Sequence, residues 1–200
     1  ITKILSVTPI SMKLIQQKKL SLDHTLDQYY PDLYNTKKGK ITIKNLLTHS
    51  AGFKDYIEFY KYDTNMRRAD IIDEILSREL EYNPGEKYDY SDLGIILLMD
   101  IIEKITYKSI DQLCESWIFN PIEMKSTFYN PDDTAKDIIA PTERDNYFRY
   151  RLLVGEVHDE NAYLMDGVSG HAGIFSNAYD LAQFGQLFLN EGRWRGKRIF

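Results

Sequence analysis

Apolar residues recur along this chain mostly at helical spacing, and the longest apolar run, Leu93 to Met99, opens a segment that continues to Ile105. That pattern predicts a buried helix over about 93–105, because positions three and four apart share a helix face. Ile4, Leu5, Met12, Leu14 and Ile15 predict a helix over 1–19. Pro9 is expected to kink it, since proline has no amide proton and its ring crowds the carbonyl four residues back. Ile71, Ile72, Ile75 and Leu76 predict a helix from Ala69 to Glu79, with Asp70 near its start. Ile110, Leu113, Cys114, Trp117 and Ile118 predict another over about 109–118.

End signals sharpen two further elements. Thr42 reads as the N-cap of a short helix running to Thr48. Asn177 with Asp180 reads as the start of a last helix to about Leu189, which Gly192 ends. Tyr56 to Asn65 has no clean period and is expected to be loop, and Asn83-Pro84-Gly85 breaks the chain. The region from Ile138 to Phe175, reached through Pro121 and Pro131, is expected to mix short strands and loops.

Composition narrows the possible functions. Two hundred residues with 43% hydrophobic content can bury one sizeable core. With a net charge of −5, no Lys/Arg cluster is long enough to track a phosphate backbone, so nucleic acid is not an expected partner. Lys37-Lys38-Gly39-Lys40 reads as a solvated loop. The single cysteine, Cys114, excludes an internal disulfide and is expected to be a buried small hydrophobe. The longest apolar run falls far short of the ~20 residues that span a bilayer, so no transmembrane helix is expected.

His24 and His49 read as structural, His49 anchoring the turn at Ser50-Ala51-Gly52. His158-Asp159-Glu160 and His171 lack metal-ligand spacing, so hydrogen bonding is expected of them; a metal-dependent hydrolase built on His158, Asp159 and His171 is a remote alternative. Glu143, Arg144 and Arg151 could line a cleft or sit in a solvated loop.

Candidate chemistry centres on Tyr90-Ser91-Asp92, which follows Pro84-Gly85 and precedes the apolar helix. A phenol has a reference pKa of about 10 and serves as a base near neutrality only if a neighbouring cation stabilises the phenolate. Lys3 is the candidate cation. A lysine three residues after a helix-starting serine shares that serine's face, and S-x-x-K is a known way to activate serine without histidine. The serine would lie immediately before Ile1.

The motifs resemble, in their order, the serine β-lactamase-related family of class C β-lactamases, low-molecular-weight penicillin-binding proteins and related esterases. The residues that carry the likeness are Lys3, Gln17-Lys18-Lys19-Leu20-Ser21-Leu22-Asp23, Ile41 to Gly52, and Pro84-Gly85 through Tyr90-Ser91-Asp92-Leu93-Gly94. Asn120-Pro121-Ile122-Glu123-Met124 and Gly167 to Ser176 with Asp180-Leu181-Ala182 extend it over essentially the whole chain.

The resemblance implies an α+β fold, an α/β sandwich with a helical subdomain of β-lactamase/transpeptidase type, incomplete at both ends. The helical part would cover about 1–135 and the mixed α/β part about 136–200. It implies serine acyl transfer on a β-lactam, a D-alanyl peptide or an ester, with Lys3 and Tyr90 moving the proton. Asp92 stands where the family's common residue is Asn; an ionised Asp only accepts hydrogen bonds, so it would pair with Lys3 and disfavour an anionic substrate group.

No metal or organic cofactor is implied. The expected partner is a small-molecule or peptidoglycan-derived substrate, and the expected location is outside the cytoplasm. The family's third motif, Lys/His-Thr/x-Gly, is expected beyond Phe200, and His171-Ala172-Gly173 reads as a structural Gly-rich turn. The alternative is a non-catalytic binding or regulatory domain of the same fold, such as those fused to glycoside hydrolases.

Overall fold

A computed structural model describes all 200 residues. The chain opens with two helices, α1 (Thr2–Leu5) and α2 (Val7–Gln16), where one kinked helix is expected. The interruption falls at Ser6 (φ −113°, ψ −93°), not at Pro9. Pro9 occupies the first turn of α2, where an absent amide proton costs little because those amides have no intrahelical acceptor. The carbonyl its ring would crowd is that of Leu5, the last residue of α1, which faces Cys114 Sγ at 4.0 Å. Side chains brace the break: the Thr2 carbonyl accepts from both the Ser6 amide (2.9 Å) and Ser6 Oγ (2.8 Å), and the Lys3 carbonyl accepts from Thr8 Oγ1 (2.9 Å).

α3 (Ile43–Leu47) starts as the sequence predicts. The Thr42 hydroxyl accepts from the Asn45 amide, and the Asn45 side chain accepts from the Thr42 amide. α4 (Arg68–Ser77) matches the expected helix within two residues, and Asp70 accepts from the Arg67 amide at 2.8 Å. Tyr56 to Asn65 is not wholly loop, because Phe59–Lys61 forms a 3₁₀ turn with Phe59 fully buried. A partner far along the chain holds that turn. Asn161 donates to the Ile57 carbonyl (2.7 Å) and accepts from the Phe59 amide (3.2 Å). The lysine-rich segment is likewise more ordered than a solvated loop, with a 3₁₀ turn at Lys38–Lys40 and Gly39 buried.

α5 (Asp92–Thr106) is the central element, with nine buried residues from Leu93 to Ile102, and it packs against α2, α3, α4 and α6 (Ile110–Cys114). Each fully buried Leu or Ile contributes roughly 1.5–3 kcal/mol of burial free energy, so α5 anchors the core. α6 runs into a π turn at Glu115–Phe119 and a 3₁₀ turn at Asn120–Ile122. Cys114 is fully buried, as expected.

Beyond this helical layer the strands are short. They are β1 (Phe128–Tyr129), β2 (Glu143–Arg144), β3 (Leu152–Leu153), β4 (Ile174–Phe175), β5 (Arg193–Trp194) and β6 (Lys197–Arg198). They form three antiparallel pairs, β1 with β4, β2 with β3, and β5 with β6. In the first pair Phe128 lies opposite Phe175 and Tyr129 opposite Ile174. Three helices are interspersed: α7 (Asp133–Lys136), α8 (Glu160–Leu164) and α9 (Ala178–Leu189). α8 departs from the expected strands and loops. Asp159 caps it, accepting from the Ala162 amide at 2.7 Å. Asn177 caps α9 by accepting from the Asp180 amide at 2.8 Å. No helix is long and apolar enough to cross a membrane.

Candidate active site

Three segments meet at the start of α1. Lys3 lies on that helix, and its Nζ sits 2.7 Å from Asp92 Oδ1, donates to the His171 carbonyl at 3.1 Å, and stands 5.0 Å from the Tyr90 ring centroid. The Lys3 and Asp92 side chains are only 18% and 16% exposed, so water screens their attraction weakly. Burial alone would lower the pKa of Lys3, but its hydrogen bond to Asp92 and the nearby Tyr90 outweigh that and raise it above the ordinary lysine value. Lys3 is therefore an ammonium at neutral pH.

The Tyr90-Ser91-Asp92 segment is tied to the loop after α3. Asp89 N–H donates to the His49 carbonyl (2.8 Å), Ser91 Oγ to the Lys54 carbonyl (2.6 Å), and Asp92 N–H to the Asp55 carbonyl (2.9 Å). His49 stacks on Tyr90 with ring centroids 4.5 Å apart, and its Nδ1 lies 3.2 Å from the Ser91 amide. The same Nδ1 lies 3.1 Å from the Ser91 carbonyl, so it can bond this residue's backbone as acceptor or as donor. Burial, and then the Lys3 charge, hold His49 below the ordinary histidine pKa, which keeps it neutral. His49 thus anchors the Tyr90-Ser91 segment, a longer reach than the expected anchoring of the 50–52 turn. Asp92 occupies the first turn of α5, where the helix dipole favours a carboxylate.

Across the chain the Beta-lactamase family model matches residues 1–198. The chain belongs to the beta-lactamase family. This beta-lactamase-family chain is similar to an N-acetylmuramyl-L-alanine amidase of Bacillus subtilis, at 34% identity over 100% of the chain and 51% of the relative. It is 32% identical to a Salmonella agona protein provisionally named a D-alanyl-D-alanine carboxypeptidase, over 100% of the chain and 52% of the relative. The fold is that of the solved D-alanine carboxypeptidase from Burkholderia cenocepacia, with a TM-score of 0.74 at 22% identity over 99% of this chain and 50% of that one. The chain spans about half the length of the curated relatives it matches.

Within this beta-lactamase-family fold, Lys3, Tyr90 and Asp92 come together, and two residues read as purely structural join them. His171 is buried, with Nε2 at 2.9 Å from Asp159 Oδ1 and Nδ1 at 2.7 Å from Ser169 Oγ. Ligand atoms of Asp92, Asp159 and His171 all lie within 4.8 Å of one another, a donor set that could hold a divalent cation. The Lys3 ammonium, bonded to Asp92 and to the His171 carbonyl, already supplies positive charge there.

The trio of His158, Asp159 and His171 is not assembled. His158 is exposed, with Nε2 3.2 Å from Glu143 Oε2. Arg151 pairs with Glu156, and Arg144 is exposed. A cleft of about 650 Å³ opens beside Asp159, bounded by Tyr56, Tyr147, Glu160 and Gly173; Glu143, Arg144 and Arg151 do not line it. The proximity of Asp159 and His171 to Lys3 had no local sequence signal, although Asp159 before Ala162 fits a helix cap.

Proposed function

We propose that this chain carries the proton-transfer machinery of a serine acyl-transfer hydrolase whose nucleophile is a serine immediately before Ile1. The carrying observation is the Lys3 ammonium held between Asp92 (2.7 Å) and the Tyr90 ring (5.0 Å to the centroid) one helical turn from that position. In this reading Lys3 stabilises negative charge on the Tyr90 oxygen, and Tyr90 takes the serine proton as Oγ attacks the substrate carbonyl. Collapse of the tetrahedral intermediate expels an amine or alkoxide, which takes that proton back from Tyr90. Water then attacks the acyl-enzyme by the same route and returns the serine. Asp92 holds the ammonium in place and charged.

Substrates in this reading are a β-lactam, a D-alanyl peptide or an ester, met outside the cytoplasm. The names of the Bacillus and Salmonella relatives support a peptidoglycan-derived substrate. No metal or organic cofactor takes part. Asp92 favours a second reading, a non-catalytic domain of the same fold, because its salt bridge immobilises the lysine. Lys3→Ala and Tyr90→Phe in the intact protein are each expected to slow phosphonylation of that serine by a fluorophosphonate, in which its oxygen displaces fluoride from phosphorus, at least about 100-fold with circular dichroism unchanged. Parental rates in both variants would end the acyl-transfer reading at this site.

A further inference from the structure

We propose that Asp159, His171 and Ser169 form a hydrogen-bonded positioning unit for the Lys3 ammonium. The inference rests on the reading of Lys3 and Tyr90 as proton-transfer residues. An ammonium has three N–H donors in a tetrahedral array. Asp92 pairs with it at 2.7 Å and the His171 main-chain carbonyl accepts from it at 3.1 Å, so these two partners fix where the ammonium sits. One acceptor belongs to the rigid start of α5. The other belongs to a turn that is free to move unless something holds it.

That turn carries Gly167 (φ +74°), Gly170 and Gly173 (φ +119°), a composition that permits many backbone conformations. Side chains fix it. Both ring nitrogens of His171 are engaged, Nε2 by Asp159 (2.9 Å) and Nδ1 by Ser169 (2.7 Å). Asp159 is itself fixed as the cap of α8, through the Ala162 amide at 2.7 Å. The Tyr129 hydroxyl donates to the Ser169 carbonyl (2.9 Å), and the Ser6 hydroxyl, whose one proton is shared with the Thr2 carbonyl, lies 3.2 Å from the Gly170 carbonyl, so the break between α1 and α2 also meets the turn.

Because a carboxylate only accepts, His171 Nε2 carries a proton and donates to Asp159, while the Ser169 hydroxyl can donate to or accept from Nδ1. Ser169 is fully buried, which bars it from attacking a substrate and separates this Ser-His-Asp chain from a nucleophilic triad. Asp159 also contributes charge. It is the second carboxylate beside Lys3, and both favour the ammonium. The charged and titratable groups facing Lys3 are Asp92 and Tyr90 at the start of α5, His49 after α3, Asp159 at the cap of α8, and His171 in the turn.

The test compares Asp159→Asn and Ser169→Ala in the intact protein, with folding checked by thermal unfolding. Asp159→Asn keeps an acceptor for His171 and a cap for α8 but removes one negative charge, which weakens the hold on the Lys3 proton. The alkaline limb of the acylation pH profile is expected to move to lower pH by about half a unit or more, the scale of a nearby, partly screened charge. Ser169→Ala loosens the turn without a charge change, so it is expected to slow acylation about tenfold with the limb unmoved.

Lys3 itself is read independently of activity by NMR titration of carbon-13-labelled lysine, with its resonance assigned by its loss in Lys3→Arg. The same downward shift is expected there in Asp159→Asn. Unmoved titration of Lys3 in Asp159→Asn, or a parental acylation rate in Ser169→Ala, overturns the inference. A moved titration in a protein that Lys3→Ala and Tyr90→Phe do not slow would sustain the positioning unit while the acyl-transfer reading fails.

Discussion

Asp92→Asn removes one negative charge 2.7 Å from Lys3 Nζ while keeping the side chain's shape. A substrate carboxylate about 6 Å from Asp92, at an effective dielectric near 20, is repelled by roughly 2–3 kcal/mol before screening. In the parent the Lys3 ammonium offsets part of this, but that ammonium stays in the variant, so the change on substitution is the whole Asp92 contribution. Screening reduces it to about 1–2 kcal/mol, or roughly five- to thirty-fold in affinity for an anion. A neutral ester carries no such charge. In the intact protein, Asp92→Asn is therefore expected to raise kcat/KM for a chromogenic cephalosporin relative to p-nitrophenyl acetate by that factor.

Stability should move the other way. Lys3 has its pKa raised on folding, so it contributes stability that is fully present below the ordinary lysine range and is lost as pH rises through the folded value. Without Asp92 the burial cost of the ammonium remains while its strongest partner is gone. Unfolding at pH 7 should lose about 1–2 kcal/mol, with the gap to the parent narrowing at strongly alkaline pH. Equal or opposite changes in kcat/KM on the two substrates would refute the placement of Asp92 toward the substrate, whatever the stability result.

Two further expectations concern packing. A Cβ at Gly170 would lie 2.7 Å from Val7 Cγ1 and 3.0 Å from Met99 Cβ, so Gly170→Ala is expected to destabilise by about 1–3 kcal/mol in denaturant unfolding; an unchanged midpoint would contradict the close approach of the turn to α2 and α5. Cys114 is fully buried, and burial pushes its thiol well above the ordinary range. Modification by a disulfide reagent should therefore wait on unfolding, and fast labelling of the native protein would show the α6 packing to be wrong.

The helical half of the fold was legible because local signals sufficed there. The run from Leu93 to Ile105 could only be buried, and Thr42 and Asn177 cap their helices through residues three positions away. Pro9 signalled a break but not its place: the carbonyl its ring would crowd is that of Leu5, and the backbone turns at the next residue, Ser6. The turn at Phe59–Lys61 depends on Asn161, about a hundred residues along the chain, so no local pattern predicts it. The same holds for the site. Lys3, Tyr90 and Asp92 were recognisable as motif residues, whereas Asp159 and His171 reach Lys3 through tertiary placement and through a backbone carbonyl that carries no side-chain signal.

The central claim, a serine nucleophile one turn before Lys3, is tested most directly by locating the covalent adduct. The intact protein is treated with a fluorophosphonate, digested, and mapped by mass spectrometry. The account predicts a single adduct on a serine adjoining Ile1, abolished by its replacement with alanine. An adduct at any residue within this chain, or a residue other than serine preceding Ile1, would contradict it.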